Sequence, residues 1–180
     1  MRVLVLGGGQ IAKAVGAVAP AEHEVAIRTH ADLDIVDPGA LARALAEVRA
    51  DWIVNAAAYT AVDLAEDDAA RAIAVNDTAV ASIAGAAVRE GSRLLHLSTD
   101  FVFDGESRRA YLPDDQTNPL SVYGSSKLGG ERHVVAGGTG IVLRTSWVYA
   151  ASGKNFVLTM LRLMREKDQI SVVSDQIGAP

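Results

Sequence analysis

Six short apolar runs recur along the chain: Val3–Leu6, Glu24–Ile27, Trp52–Val54, Leu94–Leu97, Ile141–Leu143 and Ile170–Val173. Most are apolar throughout rather than alternating, as strands covered on both faces of a sheet should be. Between them lie segments with helical spacing. Pro38–Arg49 places Leu41, Leu45 and Val48 on one side. Asp67–Glu90 continues with Ala70, Ile73, Ala74, Ile83, Ala84 and Ala87, and Asn155–Lys167 with Phe156, Met160, Leu163 and Met164. Strands alternating with helices imply right-handed crossovers and a parallel sheet. The expectation is an α/β fold, a doubly wound parallel sheet with helices on both faces. The first run is also too short for a signal peptide, and Gly7-Gly8-Gly9 ends it as glycine ends a buried strand.

Composition narrows the classes of function. A chain of 180 residues with 49% apolar and 22% charged residues can build a core and is not disordered. A net charge of −5 and a pI near 5.3 argue against a nucleic-acid partner. No run of about 18 uncharged apolar residues is present, so no membrane span and a cytoplasmic setting are expected. With no cysteine there is neither a disulfide framework nor a thiolate metal site, and His23, His30, His96 and His133 lack metal-ligand spacing. No metal is expected. There is no nucleophile elbow and no Walker A sequence.

The first strand leads into Gly7-Gly8-Gly9-Gln10-Ile11-Ala12, which fits G-x-G-x-x-A. In a strand–turn–helix setting Gly7 permits the tight turn and Gly9 lets the backbone approach a pyrophosphate. Ala12 keeps the helix close to the strand. The helix start, with Gln10 and Ile11, supplies free N–H groups to the phosphates. At the end of the second strand, Arg28-Thr29-His30 stands where an acidic residue would bind a ribose 2′-hydroxyl. Arginine and a hydroxyl suit a 2′-phosphate, so NADPH is favoured, while Asp32 and Asp34 keep NADH possible. Arg28 reads otherwise as an ordinary strand-end charge.

Tyr123 and Lys127 lie four apart, on one face if a helix runs there. A tyrosine reducing a ketone must give its proton to the developing alkoxide, and its ordinary pKa of about 10 makes that slow near neutrality. A nearby ammonium favours the phenolate. A hydroxyl beside the tyrosine can orient the carbonyl oxygen. Thr99, then Ser98, ends the fourth strand at the carboxyl edge, where such sheets bind ligands. Asp104–Leu120 is the one long irregular segment, either a functional loop or a surface excursion.

Further segments carry a resemblance: Asn55-Ala56-Ala57-Ala58-Tyr59-Thr60 with Val62-Asp63, and Ser98-Thr99-Asp100-Phe101-Val102-Phe103-Asp104-Gly105. They continue with Pro119–Gly124, Ser126-Lys127-Leu128, Gly130-Glu131, Arg144–Tyr149, Gly153–Phe156, and Asp175-Gln176 with Gly178 and Pro180. In this order they resemble the extended short-chain dehydrogenases, and among these the dTDP-4-dehydrorhamnose reductase family. The resemblance covers nearly the whole chain. It implies reduction of the C4 ketone of a dTDP-4-dehydro-6-deoxy-L-hexose to dTDP-L-rhamnose by a reduced nicotinamide. It assigns Tyr123 as general acid, Lys127 as its electrostatic partner and Thr99 as the carbonyl-orienting hydroxyl. Asn55, Ala56, Ala57, Tyr59, Asn76 and Ser98 would border the cofactor. Val62, Asp100, Trp147 and Asn155 would face the nicotinamide or the sugar nucleotide, Trp147 reading equally as a core aromatic. Asp63 and Glu66 read as structural or solvated rather than catalytic.

Two departures stand out. The glycine turn is one residue shorter than the family's usual form and ends in Ala12. Asp175–Pro180 is an internal motif in the family, normally followed by a substrate-binding lobe. The expectation is therefore one NAD(P)-binding domain over 1–180, with most of that lobe absent and little turnover. Two other functions stay open: a reductase of another dTDP-4-keto-6-deoxysugar, and a non-catalytic NADP-binding protein like the regulatory subunit of methionine adenosyltransferase. Alanine-rich helical faces would suit a homodimer and equally suit helix-on-sheet packing.

Overall fold

The structure, a computed structural model, describes residues 1–176 and Gly178. Among these residues five parallel strands form one sheet in the order β2-β1-β3-β4-β5: β1 (Arg2–Leu6), β2 (Glu24–Arg28), β3 (Trp52–Asn55), β4 (Arg93–Thr99) and β5 (Gly140–Thr145). Helix α1 (Gln10–Val18) follows β1, and α2 (Pro38–Val48) follows β2. After β3 come two short helices, α3 (Leu64–Asp67) and α4 (Ala69–Ile73). A π-helical turn at Ala74–Thr78 then leads into α5 (Ala79–Glu90). A 3-10 turn (Asp100–Val102) and a long loop separate β4 from α6 (Val122–Gly137), and α7 (Phe156–Glu166) follows β5. The chain order reverses direction in the sheet between β1 and β3, which opens a crevice at their carboxyl ends.

The two faces of the sheet are covered unequally. Leu4, Leu6, Ile53 and Leu94 pack with Leu41 and Leu45 of α2, Val80 and Ile83 of α5, and Val134 of α6. On the other face Val5 and Val54 pack against Ala12 of α1. Both sets are buried, which is why the strand sequences do not alternate. At the β5 end of the α1 face, Ile141 and Leu143 stay about half exposed. The expected sixth strand is not formed. Residues 170–173 take no regular structure, and Val172 and Val173 are exposed. An apolar run of that length reads as a strand by composition alone, but it becomes one only when a neighbouring edge pairs with it.

Local chemistry sets the helix ends. Asp37 caps α2 by accepting from the N–H groups of Gly39 and Ala40, with Pro38 at the first helical position. Ser121 caps α6 through the Gly124 N–H, and Gly91 and Gly138 end α5 and α6 in the left-handed conformation. The run expected as one helix over 67–90 is interrupted by the π turn, which turns Asn76 inward.

Helix α6 approaches its neighbours through glycine. A Cβ at Gly130 would be driven into the Asn76 carbonyl oxygen and would lie 3.3 Å from His96 Nε2. A Cβ at Gly85 on α5 would meet only the mobile end of Arg89, at 3.4 Å. Gly130→Ala is therefore expected to cost about 1–3 kcal/mol. Gly85→Ala should gain about 0.5–1 kcal/mol from helix propensity. Urea titrations of the two variants should move in opposite directions, and equal effects would refute the packing argument.

Candidate active site

The crevice between β1 and β3 is lined by backbone. Gly7 has φ +121°, and its N–H donates to the Arg28 carbonyl at 2.9 Å. A Cβ there would lie 2.9 Å from the Ala56 carbonyl carbon, so only glycine lets the first and third strand ends approach this closely. Gly9 begins α1 in extended conformation with no side-chain cap, and a Cβ on it would meet open space. The first N–H groups of α1 thus face the crevice with the helix's positive end. Ala12 is fully buried against Val5 and Val54, as the turn pattern requires. At the β2 end, Asp32 accepts from both the N–H (2.9 Å) and the hydroxyl (2.7 Å) of Thr29, and these bonds hold its carboxyl below the usual range. Arg28 lies 3.6 Å from Glu47.

The loop after β3 is held by side chains on buried elements. Asn76 accepts from the Tyr59 N–H at 2.9 Å and donates to the Tyr59 carbonyl at 3.0 Å and to Ser126 Oγ at 3.1 Å. The π turn thereby fixes Tyr59 beside α6. Asn55 Oδ1 accepts from the Ala57 N–H at 3.2 Å.

At the carboxyl end of β4 the chain turns sharply. Thr99 Oγ1 accepts from the Phe101 N–H at 3.2 Å and donates to Asp100 Oδ1 at 3.1 Å. Tyr123 sits in the first turn of α6, packed on Ala65, Ala72 and Val62 and edge-on to Phe101. Burial pushes its phenol pKa up, the hydrogen-bonded Thr99 hydroxyl opposes this, and the Asp100 charge adds to it. Lys127, one helical turn on, is 2% exposed and donates to the Leu97 carbonyl at 2.6 Å. Burial lowers its pKa to about 8, with the Glu131 charge working the other way. In its immediate surroundings Lys127 touches the floor of the site rather than its rim.

That floor holds residues to which sequence reasoning gave no role. His96 is fully buried on β4, with Nδ1 3.0 Å from Asn55 Nδ2 and Nε2 3.4 Å from Lys127 Nζ. Burial, and then the Lys127 charge, lower its pKa to about 3. Glu131 accepts from Ser98 Oγ at 2.5 Å and from Arg144 Nε and a terminal guanidinium nitrogen at 2.9 and 2.7 Å. Ser98 is therefore turned into the α6 interface, while Thr99 stands at the strand end. The signal was available: Tyr123, Lys127 and Glu131 recur every four residues on α6, and His96 and Ser98 share one face of β4.

The other expected residues make contacts of their own. Asp100 opens the 3-10 turn beside Thr99. Glu66, expected as structural or solvated, accepts from the Val122 N–H at 2.8 Å and so holds the start of α6. Trp147 is 44% exposed with φ +52° and meets Phe156 edge-on, so it is not a core aromatic. Asn155 caps α7 through the Leu158 N–H and donates to Gln10 Oε1 and the Ala150 carbonyl, both at 2.9 Å. Gln10 also donates to the Lys154 carbonyl at 3.1 Å. The Asp104–Leu120 segment is internally bonded. Asp104 accepts from Tyr111 and Asn118, Arg109 forms two bonds to Asp115, and Arg144 reaches the Pro113 carbonyl. Among the described residues no cluster of three or more His, Asp or Glu is placed to hold a metal, and no helix is long and apolar enough to cross a membrane.

Comparison with known proteins gives one family. The model of the RmlD substrate binding domain matches residues 1–180. A dTDP-4-dehydrorhamnose reductase of Burkholderia thailandensis is 44% identical over 182 residues, covering 100% of this chain and 61% of the relative. A crystal structure of such a reductase from Clostridium acetobutylicum superposes with a TM-score of 0.95 at 36% identity, over 100% of this chain and 65% of that one. The Bacillus anthracis reductase, solved in complex with NADP, superposes with a TM-score of 0.96 at 36% identity, over 99% and 65%. The chain thus spans about three fifths of the length of the curated relatives it matches.

The buried imidazole has a consequence for stability. His96 titrates near 6.5 when exposed and near 3 when folded. The unfolded chain therefore binds a proton that the folded chain refuses, and stability present above pH 6.5 is lost as pH falls toward 3. Its full slope is about 1.4 kcal/mol per pH unit. In His96→Gln the acid slope of the unfolding free energy should shrink by about that amount. An unchanged slope would show that the imidazole is not held neutral.

Proposed function

The chain belongs to the RmlD substrate binding domain family, and from that premise we propose that it is the cofactor-binding part of an NADPH-dependent dTDP-4-dehydrorhamnose reductase. The observation that carries this reading is the meeting of Thr99 and Tyr123 at the carboxyl edge of β4, beside the glycine crevice of β1 and β3. Residues 1–180 act as one NAD(P)-binding domain, and the substrate is a dTDP-6-deoxy-4-keto sugar converted to dTDP-L-rhamnose. A nucleotide-sugar substrate fits a cytoplasmic setting. The homologous reductases of known structure, one with NADP bound, support the cofactor class.

The residues present fit such a cofactor. The uncapped start of α1 and the open approach at Gly9 suit a pyrophosphate. Asp32 is engaged by Thr29, which leaves Arg28 as the charge at the β2 end suited to a 2′-phosphate. When bound, the reduced nicotinamide supplies the hydride. Tyr123 gives its phenolic proton to the C4 carbonyl oxygen as negative charge develops there, and the Thr99 hydroxyl holds that oxygen by a hydrogen bond. Lys127 in its ammonium form would draw the phenol toward ionisation against the burial that raises its pKa. Val62, Asp100 and Trp147 lie around Tyr123 or past the end of β5, on the side where the sugar nucleotide would enter.

Two measurements test the reading. Joined to the part of the Burkholderia thailandensis reductase that it does not span, the chain should oxidise NADPH with a dTDP-4-keto-6-deoxyhexose, and Tyr123→Phe in that fusion should slow the oxidation about 10²–10⁴-fold while NADPH binding followed by fluorescence is retained. Cofactor binding without sugar-dependent oxidation in that fusion would overturn the reductase reading. Separately, Arg28→Ala should weaken NADPH roughly tenfold and NADH little. An equal loss for both would remove Arg28 from the 2′-phosphate site.

A further inference from the structure

The floor of the site contains a hydrogen-bond chain with a fixed direction. It begins at the Ala57 backbone N–H, which can only donate, and which meets Asn55 Oδ1 at 3.2 Å. The Asn55 amide is thereby oriented, and its donor Nδ2 faces His96 Nδ1 at 3.0 Å. Nδ1 must accept. Burial keeps the imidazole neutral, so its single proton sits on Nε2. Nε2 lies 3.4 Å from Lys127 Nζ. An ammonium at that position has only donors to offer and would place its hydrogens against the Nε2–H. A free amine accepts that proton on its lone pair and still donates to the Leu97 carbonyl at 2.6 Å.

We propose that His96 is a positioning residue for Lys127: oriented through Asn55 by the Ala57 N–H, it presents a donor to the lysine nitrogen, favours the free amine and sets the pH at which the site gains its charge. When Lys127 loses its proton the proton passes to solvent, and the chain from Ala57 to Lys127 is satisfied at every atom. The charged and titratable neighbours are few. On α6 Glu131 favours the ammonium, but both its oxygens are taken by Arg144 of β5, and Oε1 also by Ser98. Tyr123 lies one turn earlier, near Asp100 at the end of β4. The π turn contributes neutral Asn76 through Ser126, and its Asp77 is paired with His133 at 2.7 Å. None of these groups accepts from the Lys127 nitrogen, whose acceptor is the Leu97 carbonyl. The loop bearing Ala57 borders the crevice between β1 and β3, so this chain joins the crevice to the buried lysine. The importance of Lys127 for reduction rests on the function proposed above; its titration does not.

Isotope-labelled protein tests the chain without cofactor or sugar. Long-range nitrogen–proton spectra should show His96 unprotonated at Nδ1 and protonated at Nε2 from about pH 5 to 9. The Lys127 side chain should titrate near pH 8, below the ordinary lysine range. In Asn55→Leu the imidazole is free to move its proton to Nδ1 and accept from the ammonium. The Lys127 midpoint should then rise by about one pH unit, a tenfold gain in proton affinity. Burial alone predicts the opposite sign, because leucine removes a polar neighbour. A wild-type His96 carrying its proton on Nδ1, or a Lys127 midpoint unchanged or lowered in Asn55→Leu, overturns the proposal. If Asn55→Leu does not fold, His96→Phe should give the same rise, and no rise there is equally fatal. Because neither spectrum depends on turnover, the reductase reading can fail while this one stands, and the reverse.

Discussion

Helix α6 lies close to the carboxyl half of β4, and most of the site follows from that distance. Gly124 lies against the Phe101 carbonyl of the 3-10 turn, and Gly130 against the Asn76 carbonyl of the π turn. With side chains at those positions the helix would have to stand off, since backbone cannot yield as a flexible side chain can. At the observed separation, Tyr123 reaches the end of β4, Lys127 reaches the Leu97 carbonyl, and Glu131 reaches Ser98. One helix face thus delivers three functional groups to three successive levels of one strand.

That closeness also removes water. Lys127, Glu131, His96, Asn55 and Asn76 are all buried, where an unpartnered polar group costs more than the bond it could make in water. Each has a partner, and the partners are shared. Arg144 neutralises Glu131 while also reaching the long loop at the Pro113 carbonyl, so the β5 edge, α6 and the Asp104–Leu120 segment are tied through one guanidinium. Arg144 also lies over the Phe103 ring at 4.9 Å, and Phe103 stacks on Tyr111 at 4.1 Å. The segment that looked irregular in sequence is ordered by this cross-linking rather than by repeating structure. Desolvation displaces the titrations of Tyr123, Lys127 and His96 away from their ordinary values, each against its charged form. A site built this way has its proton chemistry set by neighbours, not by residue type.

The legible parts were those carried by local pattern. Val3–Leu6 followed by Gly7-Gly8-Gly9 announced a buried strand and a tight turn, and Gly7 indeed needs positive φ. Leu41 and Leu45 marked the buried side of α2. Helix α6 was harder, because its buried positions mix glycine, serine, lysine and glutamate with Tyr123, Leu128 and Val134 and form no continuous apolar stripe. Only the pairing of Tyr123 with Lys127 hinted at it. The π turn at Ala74–Thr78 left no periodic trace, since one extra residue in a helical run shifts the pattern without breaking it. The run at Ile170–Val173 misled for the converse reason: its composition suits a strand, yet pairing is not a property of one segment.

By itself, then, the amino-acid sequence determined the alternation of strands and helices, the glycine crevice and the order in which Thr99, Tyr123 and Lys127 follow it. These depend on near neighbours in the chain, through backbone geometry and apolar spacing. Tertiary structure alone decided that Ser98 faces Glu131 while Thr99 faces Tyr123, that Asn76 clamps the Tyr59 backbone, and that His96 stands between Asn55 and Lys127. Those contacts join residues 17 to 41 positions apart. Hydrogen-bond direction and desolvation exist only once such groups are brought together, so the charge states of the site belong to the fold and not to the residues.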